Sequence, residues 1–325
     1  MSTEETIENS HKRQRTEEPQ RISTATRHQE HWNRDGSIIL HVEDTLFRIH
    51  QTTLERLSEV FKDLFSVPQP PGEERVDECP VVRLEGDQSA DWIHLLDAIY
   101  DPLHFDELAL QEPKANLARL SAILRLSTKY RITAFRRKAI AIFSKNFQSG
   151  DTYIPQERTM TVNEVYTMIN LARSTNALTL LPFAFMLLTS LRSPEVINGA
   201  PISNHDKLVI FRGMLRLLSA RDDDLFPFAH SFNPPDGCIH PELCSTAIGR
   251  FLIAQFRQRS HSSFFFLSDK FTFQWAANMC ETCLNHIQTT FRSGRQKTWE
   301  RLPFIFGLGK DWEELRRIEA YDSMP

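Results

Sequence analysis

The chain has 325 residues, 41% hydrophobic and 25% charged, an ordinary globular composition with room for two domains. Its 42 acidic and 38 basic side chains leave a net charge of −4, so nothing in the overall charge calls for nucleic acid or an anionic membrane as partner. Five cysteines, an odd number, and a polar start without a basic segment leading into an apolar one predict reduced thiols in an intracellular protein, cytoplasmic or nuclear.

Residues 1–34 contain only five apolar side chains, Met1, Ile7, Ile22, Ala25 and Trp32, too few for a core, so residues 1–28 read as a disordered polar tail. Within it, Lys12-Arg13-Gln14-Arg15 can be taken as a nuclear-import patch or as a solvated cluster beside Glu17 and Glu18. The apolar run Ile38–Val42, the polar pair Glu43-Asp44 and the alternation from Thr45 to His50 predict two strands joined as a hairpin. Leu54, Leu57, Val60, Phe61, Leu64 and Phe65 are then spaced by three and four, as on one helix or two short ones. Pro68, Pro70, Pro71 and Gly72 mark a loop, and Val81–Leu84 a further strand. Trp92, Leu95, Leu96, Ile99 and Tyr100 form a helical stripe that should stop at Asp101-Pro102. A loop over 102–114, with a short strand around Leu103–Phe105, leads to helices at Leu117–Tyr130 and through Phe135, Ala139, Ile142 and Phe143, before Gly150-Asp151 punctuates the chain.

These residues resemble a family. Asp35-Gly36 and the strand after it, Phe47-x-x-His50, Leu54, Ser58-x-x-Phe61 and Phe65 look like the opening of a BTB/POZ domain. Val81-Val82-Arg83-Leu84 stands where that family has its next strand. Trp92 to Asp101 and LSAILRLSTKY (Leu120–Tyr130, with Ser127 at a small-residue position) resemble its later helices. The resemblance implies an α+β BTB/POZ fold over residues 29–148, a short sheet with a hairpin surrounded by helices. It also implies homodimerisation through the helices after the hairpin and the residues before it, which points to Trp32, Leu54, Leu57 and Phe61 as interface. His50 is then a packing and hydrogen-bonding residue of the strand-to-helix turn. One departure is that many members have Asp where this chain has Ser37 and a basic residue where it has Gln51; both charges are absent together, so no lone charge is left buried. That departure argues against the groove used by corepressors.

Residues 149–325 read as an all-α C-terminal domain. Thr161-x-x-Glu164 is a capping box ahead of Val162, Val165, Met168 and Ala172. Ala177–Leu191 is a buried helix interrupted by Pro182 and too short to span a bilayer. Leu208–Leu218 is apolar almost all round and should lie in the middle of its bundle. Asp222–Pro241 reads as a long loop. Two helical stripes follow, Cys244, Ala247, Ile248, Phe251 and Leu252, then Phe273, Ala276, Ala277, Cys280, Leu284, Ile287 and Phe291. The 23 phenylalanines, against 5 Tyr and 5 Trp, favour buried cores. Cys280-x-x-Cys283, Gly294-Arg295, Trp299, Leu302-Pro303, Phe306-Gly307-Leu308 and Trp312-x-x-Leu315 resemble the tail of a group of fungal BTB-domain proteins.

Cys238, Cys244, Cys280 and Cys283 admit three readings. Cys280 and Cys283, three apart on a helix, share a face and can reach one ion. Four thiolates, or three with His240, would suit tetrahedral zinc, the one cofactor considered. Cysteines on apolar stripes are also ordinary buried thiols, and a disulfide or redox pair is the third reading. Cys79 carries no role. Phosphate-cradling Gly-rich loops, G-x-S-x-G and H-E-x-x-H are absent, and 11 glycines leave few flexible loops, so neither catalytic nor cofactor-binding residues are assigned. The expected product is a non-enzymatic interaction or dimerisation protein. The alternatives are a substrate adaptor that binds a cullin in a ubiquitin ligase, and a nuclear transcription regulator; neither nucleic acid nor membrane is expected as partner.

Overall fold

The computed structural model describes residues 25–67, 74–111, 113–147, 160–190, 194–258 and 278–321. The basic patch at 12–15, the proline-rich loop at 68–72, the expected boundary at 148–149 and the start of the 273–291 helix lie outside them. The fold is α+β and divides into two compact units. The described residues up to Gln51 and from 74 to Ser89 carry the sheet; those from Thr52 to 67 and from Ala90 onward are helical.

The sheet has five strands in the order β1-β3-β2-β5-β4: β1 Thr26–Trp32, β2 Ile38–Val42, β3 Thr45–Ile49, β4 Arg75–Val76 and β5 Cys79–Arg83. The expected hairpin is present, with Ile38 opposite Ile49 and Val42 opposite Thr45. β5 returns parallel to β2, pairing Ile39 with Val81 and His41 with Arg83. With partners on both sides, all five residues of β2 are buried, which is why it reads as a continuous apolar run and not as an alternation. β4 and β5 join through Asp77-Glu78, both at positive φ (48° and 64°), the geometry of a two-residue hairpin turn. β1 carries no signal of its own in the sequence. It begins at Thr26, inside the expected tail, and pairs parallel with β3 as an edge strand whose only buried side chain is His31.

Among the helices, α1 (Gln51–Leu57) and α2 (Glu59–Ser66) are separated by Ser58. The Ser58 hydroxyl accepts the Phe61 N–H at 3.1 Å and donates to the Tyr130 carbonyl at 2.5 Å. Phe61 stacks on Tyr130 (4.6 Å between centroids) and meets Trp92 edge-on. α3 (Ser89–Tyr100) is tied to α5 (Pro113–Lys129) by the two-pronged Arg125–Asp91 pair, at 2.7 and 2.8 Å. The strand expected around Leu103–Phe105 is instead helix α4, His104–Leu110, with Phe105 and Leu108 buried three residues apart. α6 spans Thr133–Phe147 and α7 Val162–Ser174, and the capping box of Thr161 and Glu164 forms at the start of α7.

Two expectations for the later helices are corrected. Pro182 opens α8 (Leu181–Ser190) rather than breaking it, after a 3-10 turn at Leu178–Leu180; a first-turn proline loses no helical bond. After α9 (Pro194–Asn198) comes α10 (Asn204–Ala220), which is not central: Ile210, Gly213 and Leu217 face inward while Leu208 and Leu215 are exposed. The long loop expected at Asp222–Pro241 shrinks to 231–240, because a π-turn (Arg221–Leu225) and α11 (Pro227–His230) occupy its first part. The chain ends in α12 (Pro241–Gln258), α13 (Glu281–Glu300), α14 (Leu302–Ile305) and α15 (Trp312–Tyr321). One cluster of buried apolar side chains runs through the helical unit from Ala98 to Leu315, with Phe143, Phe183, Phe185 and Phe291 among them. Among the described residues no helix is long and apolar enough to cross a membrane.

Candidate functional site

The four cysteines from the C-terminal half converge. Cys238 follows a tight turn in which its N–H donates to the Pro235 carbonyl at 3.1 Å and Gly237 sits at φ 87°, the conformation that a type II turn reserves for glycine. Cys244 lies in the first turn of α12, with Ala247 and Ile248 buried on the same side. Cys283 lies in the first turn of α13. Cys280 is the residue before that helix, in extended backbone (φ −70°, ψ 157°). Among the described residues the helix runs over Glu281–Glu300, so Cys280 and Cys283 meet as a helix cap and its first turn rather than on one helical face. Cys280 is also half-exposed, off any apolar stripe, whereas Cys244 and Cys283 are fully buried.

The Sγ atoms of Cys238, Cys244 and Cys280 form a triangle with all three edges 3.8 Å. Cys283 completes the group, and all four sulfurs lie within 4.8 Å of one another. These separations are far too long for disulfides, whose sulfurs bond at about 2.0 Å, and all four cysteines are free thiols. His240, considered as an alternative ligand, is exposed and enters only through its carbonyl, which accepts the Cys244 N–H at 3.0 Å.

Backbone amides converge on the sulfurs. The Cys283 N–H, and with it the Ile239 N–H, hydrogen-bonds to Cys280 and brings that thiol from an ordinary 9.0 down to about 6. The Cys280 N–H donates to Cys244 Sγ at 3.4 Å. Burial pushes the thiols of Cys244 and Cys283 up. The sequence carried no sign of the Ile239 amide, since a backbone donor has no residue type. Chemically the cluster is a soft, four-sulfur site at the starts of two helices.

The four side chains expected at a dimer interface differ in exposure. Leu54 and Phe61 are buried within the chain, and Trp32 and Leu57 are half-buried, with the Arg27 guanidinium 4.6 Å over the Trp32 ring. Among the described residues, the large apolar side chains left outside on or beside the nearby helices are Leu64, Val67, Tyr100, Leu103 and Leu110, none of them in the expected set. Periodicity marks which residues share a stripe, but not which end of a short stripe its neighbours cover. His50 closes the turn after β3, its Nε2 3.2 Å from Asp35 Oδ1, and this bond holds the Asp35 carboxyl below its ordinary value. Ser37 and Gln51, the two departures from the BTB pattern, meet directly: the Gln51 N–H that opens α1 donates to Ser37 Oγ at 3.0 Å. Compared with family models, with curated proteins and with solved structures, the chain matches none.

Proposed function

We propose that this chain is a protein-interaction module rather than an enzyme, built on a BTB/POZ-type unit that pairs with a second copy of itself. The order of elements supports the reading. A hairpin (β2–β3) is followed by two short helices split at Ser58, then by a strand parallel to the first strand of the hairpin, then by α3 to α6. Apart from β1, β4 and α4, that is the order the resemblance implies for residues 29–148.

Pairing rests on one observation. The helices after the hairpin leave large apolar side chains in water: Leu64 is 38% exposed, Leu103 62%, Leu110 87%, and Val67, just past α2, 60%. Apolar surface of this kind is stabilised when a partner covers it. Light scattering on the full-length protein at micromolar concentration tests the proposal. Twice the mass of one chain is expected for the wild type, and a shift toward one chain for the pair Leu64→Glu with Val67→Glu. These positions are exposed, so circular dichroism should stay unchanged; Leu54→Glu or Phe61→Glu would unfold the protein instead. A wild-type protein that runs as a single chain overturns the proposal. Retention on an immobilised cullin would mark the dimer as a ligase adaptor, and its absence a plain dimerisation module.

A further inference from the structure

We propose that Cys238, Cys244, Cys280 and Cys283 bind one structural Zn2+ ion that fastens the 231–240 segment to the starts of α12 and α13. The size of the cluster fits zinc. Zn–S bonds of about 2.3 Å in a tetrahedron place the sulfurs ~3.8 Å apart. The Cys238–Cys244, Cys244–Cys280 and Cys280–Cys238 edges each measure 3.8 Å. Packed core thiols do not require Cys238, which comes from an irregular segment of its own, to stand equally far from two other sulfurs.

The ligand set fits zinc as well. Four thiolates, with no carboxylate or imidazole in the cluster, match the closed sites of structural zinc and select a soft cation over magnesium or calcium. The spacing, Cys238-x5-Cys244 and Cys280-x2-Cys283, lets two pairs of ligands approach from two separate turns. With all four positions filled by protein there is no open site for water or substrate, so the role is structural.

Charge points the same way. The first turns of α12 and α13 carry Cys244 and Cys283, and Cys280 caps α13, where unpaired helical N–H groups favour anions. The N–H groups of Cys280, Cys283 and Ile239 already point at sulfur. Such donors orient and stabilise thiolates in metal sites. Four thiolates this close repel one another unless a cation lies between them; on binding, the ion takes four Cys–S⁻ ligands and the thiol protons leave to solvent. Phe232 packs on the core at the start of the 231–240 segment, but its end needs this clamp, because Ile239 is 71% exposed and contributes little burial.

The test uses the full-length protein expressed with zinc in the medium and purified without chelator. Elemental analysis should find about one zinc per chain. Cys79→Ser is the internal control, since Cys79 is the remaining cysteine and its thiol donates instead to the Gly36 carbonyl; that variant should keep its zinc. Cys238→Ser and Cys280→Ser should lose it. If these two fail to fold, the wild type still decides: replacement of zinc by cobalt should give the visible bands of a tetrahedral tetrathiolate, and a strong chelator should lower the melting temperature. Zinc absent from the wild type, or zinc retained in both Cys238→Ser and Cys280→Ser, would overturn the proposal.

Discussion

Ser58 uses one hydroxyl twice, accepting the Phe61 N–H that opens α2 and donating to the Tyr130 carbonyl just past α5. Both bonds are buried, so Ser58→Ala strands a donor and an acceptor at once and should cost about 2–3 kcal/mol. Urea denaturation would register this as a lower midpoint with an unchanged slope. Gly294 makes a similar point through space. A Cβ there would run into the Asp224 carbonyl, where α13 crosses the π-turn, and one at Gly213 would strike the Phe306 ring. Gly294→Ala should therefore destabilise by about 2 kcal/mol or more. Gly249, in α12, has open space around its missing Cβ. Gly249→Ala should be neutral or stabilise by up to about 1 kcal/mol, through helix propensity alone. Gly294, Trp299 and Phe306 were visible as a pattern in the sequence. The reason for the glycine was not, because the atom it avoids belongs to a residue seventy positions earlier. The cysteine cluster was legible for the opposite reason: four residues of one reactive type can be recognised before it is known what brings them together.

Elements were legible where their own residues decide them. The capping box of α7 and the β2–β3 hairpin need only local chemistry, and both formed as read. β1 and α4 did not follow from the sequence. TRHQEHW is polar and becomes a strand because the edge of β3 offers it hydrogen bonds, and His104–Leu110 is too short a stretch for its period to show. Within the sheet unit, the Glu43 carboxylate accepts both the Ser89 N–H and hydroxyl at 2.8 Å. These bonds hold the Glu43 carboxyl below its ordinary 4.5. A carboxyl lowered by folding stabilises fully above its unfolded value and loses that contribution as pH falls through its folded value. Glu43→Gln should thus lower the melting temperature near neutral pH, with the gap from wild type narrowing as pH drops below about 4.5. The side chain is exposed, so the effect at neutral pH should be about 1 kcal/mol or less. A gap that widens in acid would refute this account. Arg136 does comparable work inside the helical unit. It is buried on α6, where desolvation pushes its pKa down, and it donates to the Thr175 and Asn176 carbonyls (3.0 and 3.1 Å) that end α7. A cation on a helix C-terminus is favourable, and Arg136→Met would leave those carbonyls without it, at about 2 kcal/mol.

That bond also bears on how the helical unit melts. The expected division at residue 148 separates α6 from α7, yet the cluster of buried side chains takes members from both sides of it. α5 packs on α7, α6 packs on the 3-10 turn at Leu178–Leu180, and α15 packs on the same turn from the far end of the chain. There, the Glu319 carboxylate accepts the Thr179 N–H at 2.9 Å and its hydroxyl at 2.8 Å. Residues a hundred and forty positions apart therefore hold the turn on which α6 rests. A chain cut after residue 148 would expose Ile140 and Phe143, leave Arg136 without its carbonyls, and keep only part of a core that is continuous in the full protein. Two independent domains should melt independently, and a truncated first domain should keep its own midpoint. A shared core predicts the reverse: one cooperative calorimetric transition for α3 to α15, and a fragment 1–148 that melts many degrees lower or binds a hydrophobic dye at room temperature. Glu319→Ala in the full chain should lower that single transition as a whole rather than split off a second one, because the turn it holds is common to both halves. Two resolved transitions in the wild type, with the fragment reproducing the first, would show that residues before 148 fold without the rest. The apolar helices that read as a self-contained unit in sequence would then need some other cover for Ile140 and Phe143.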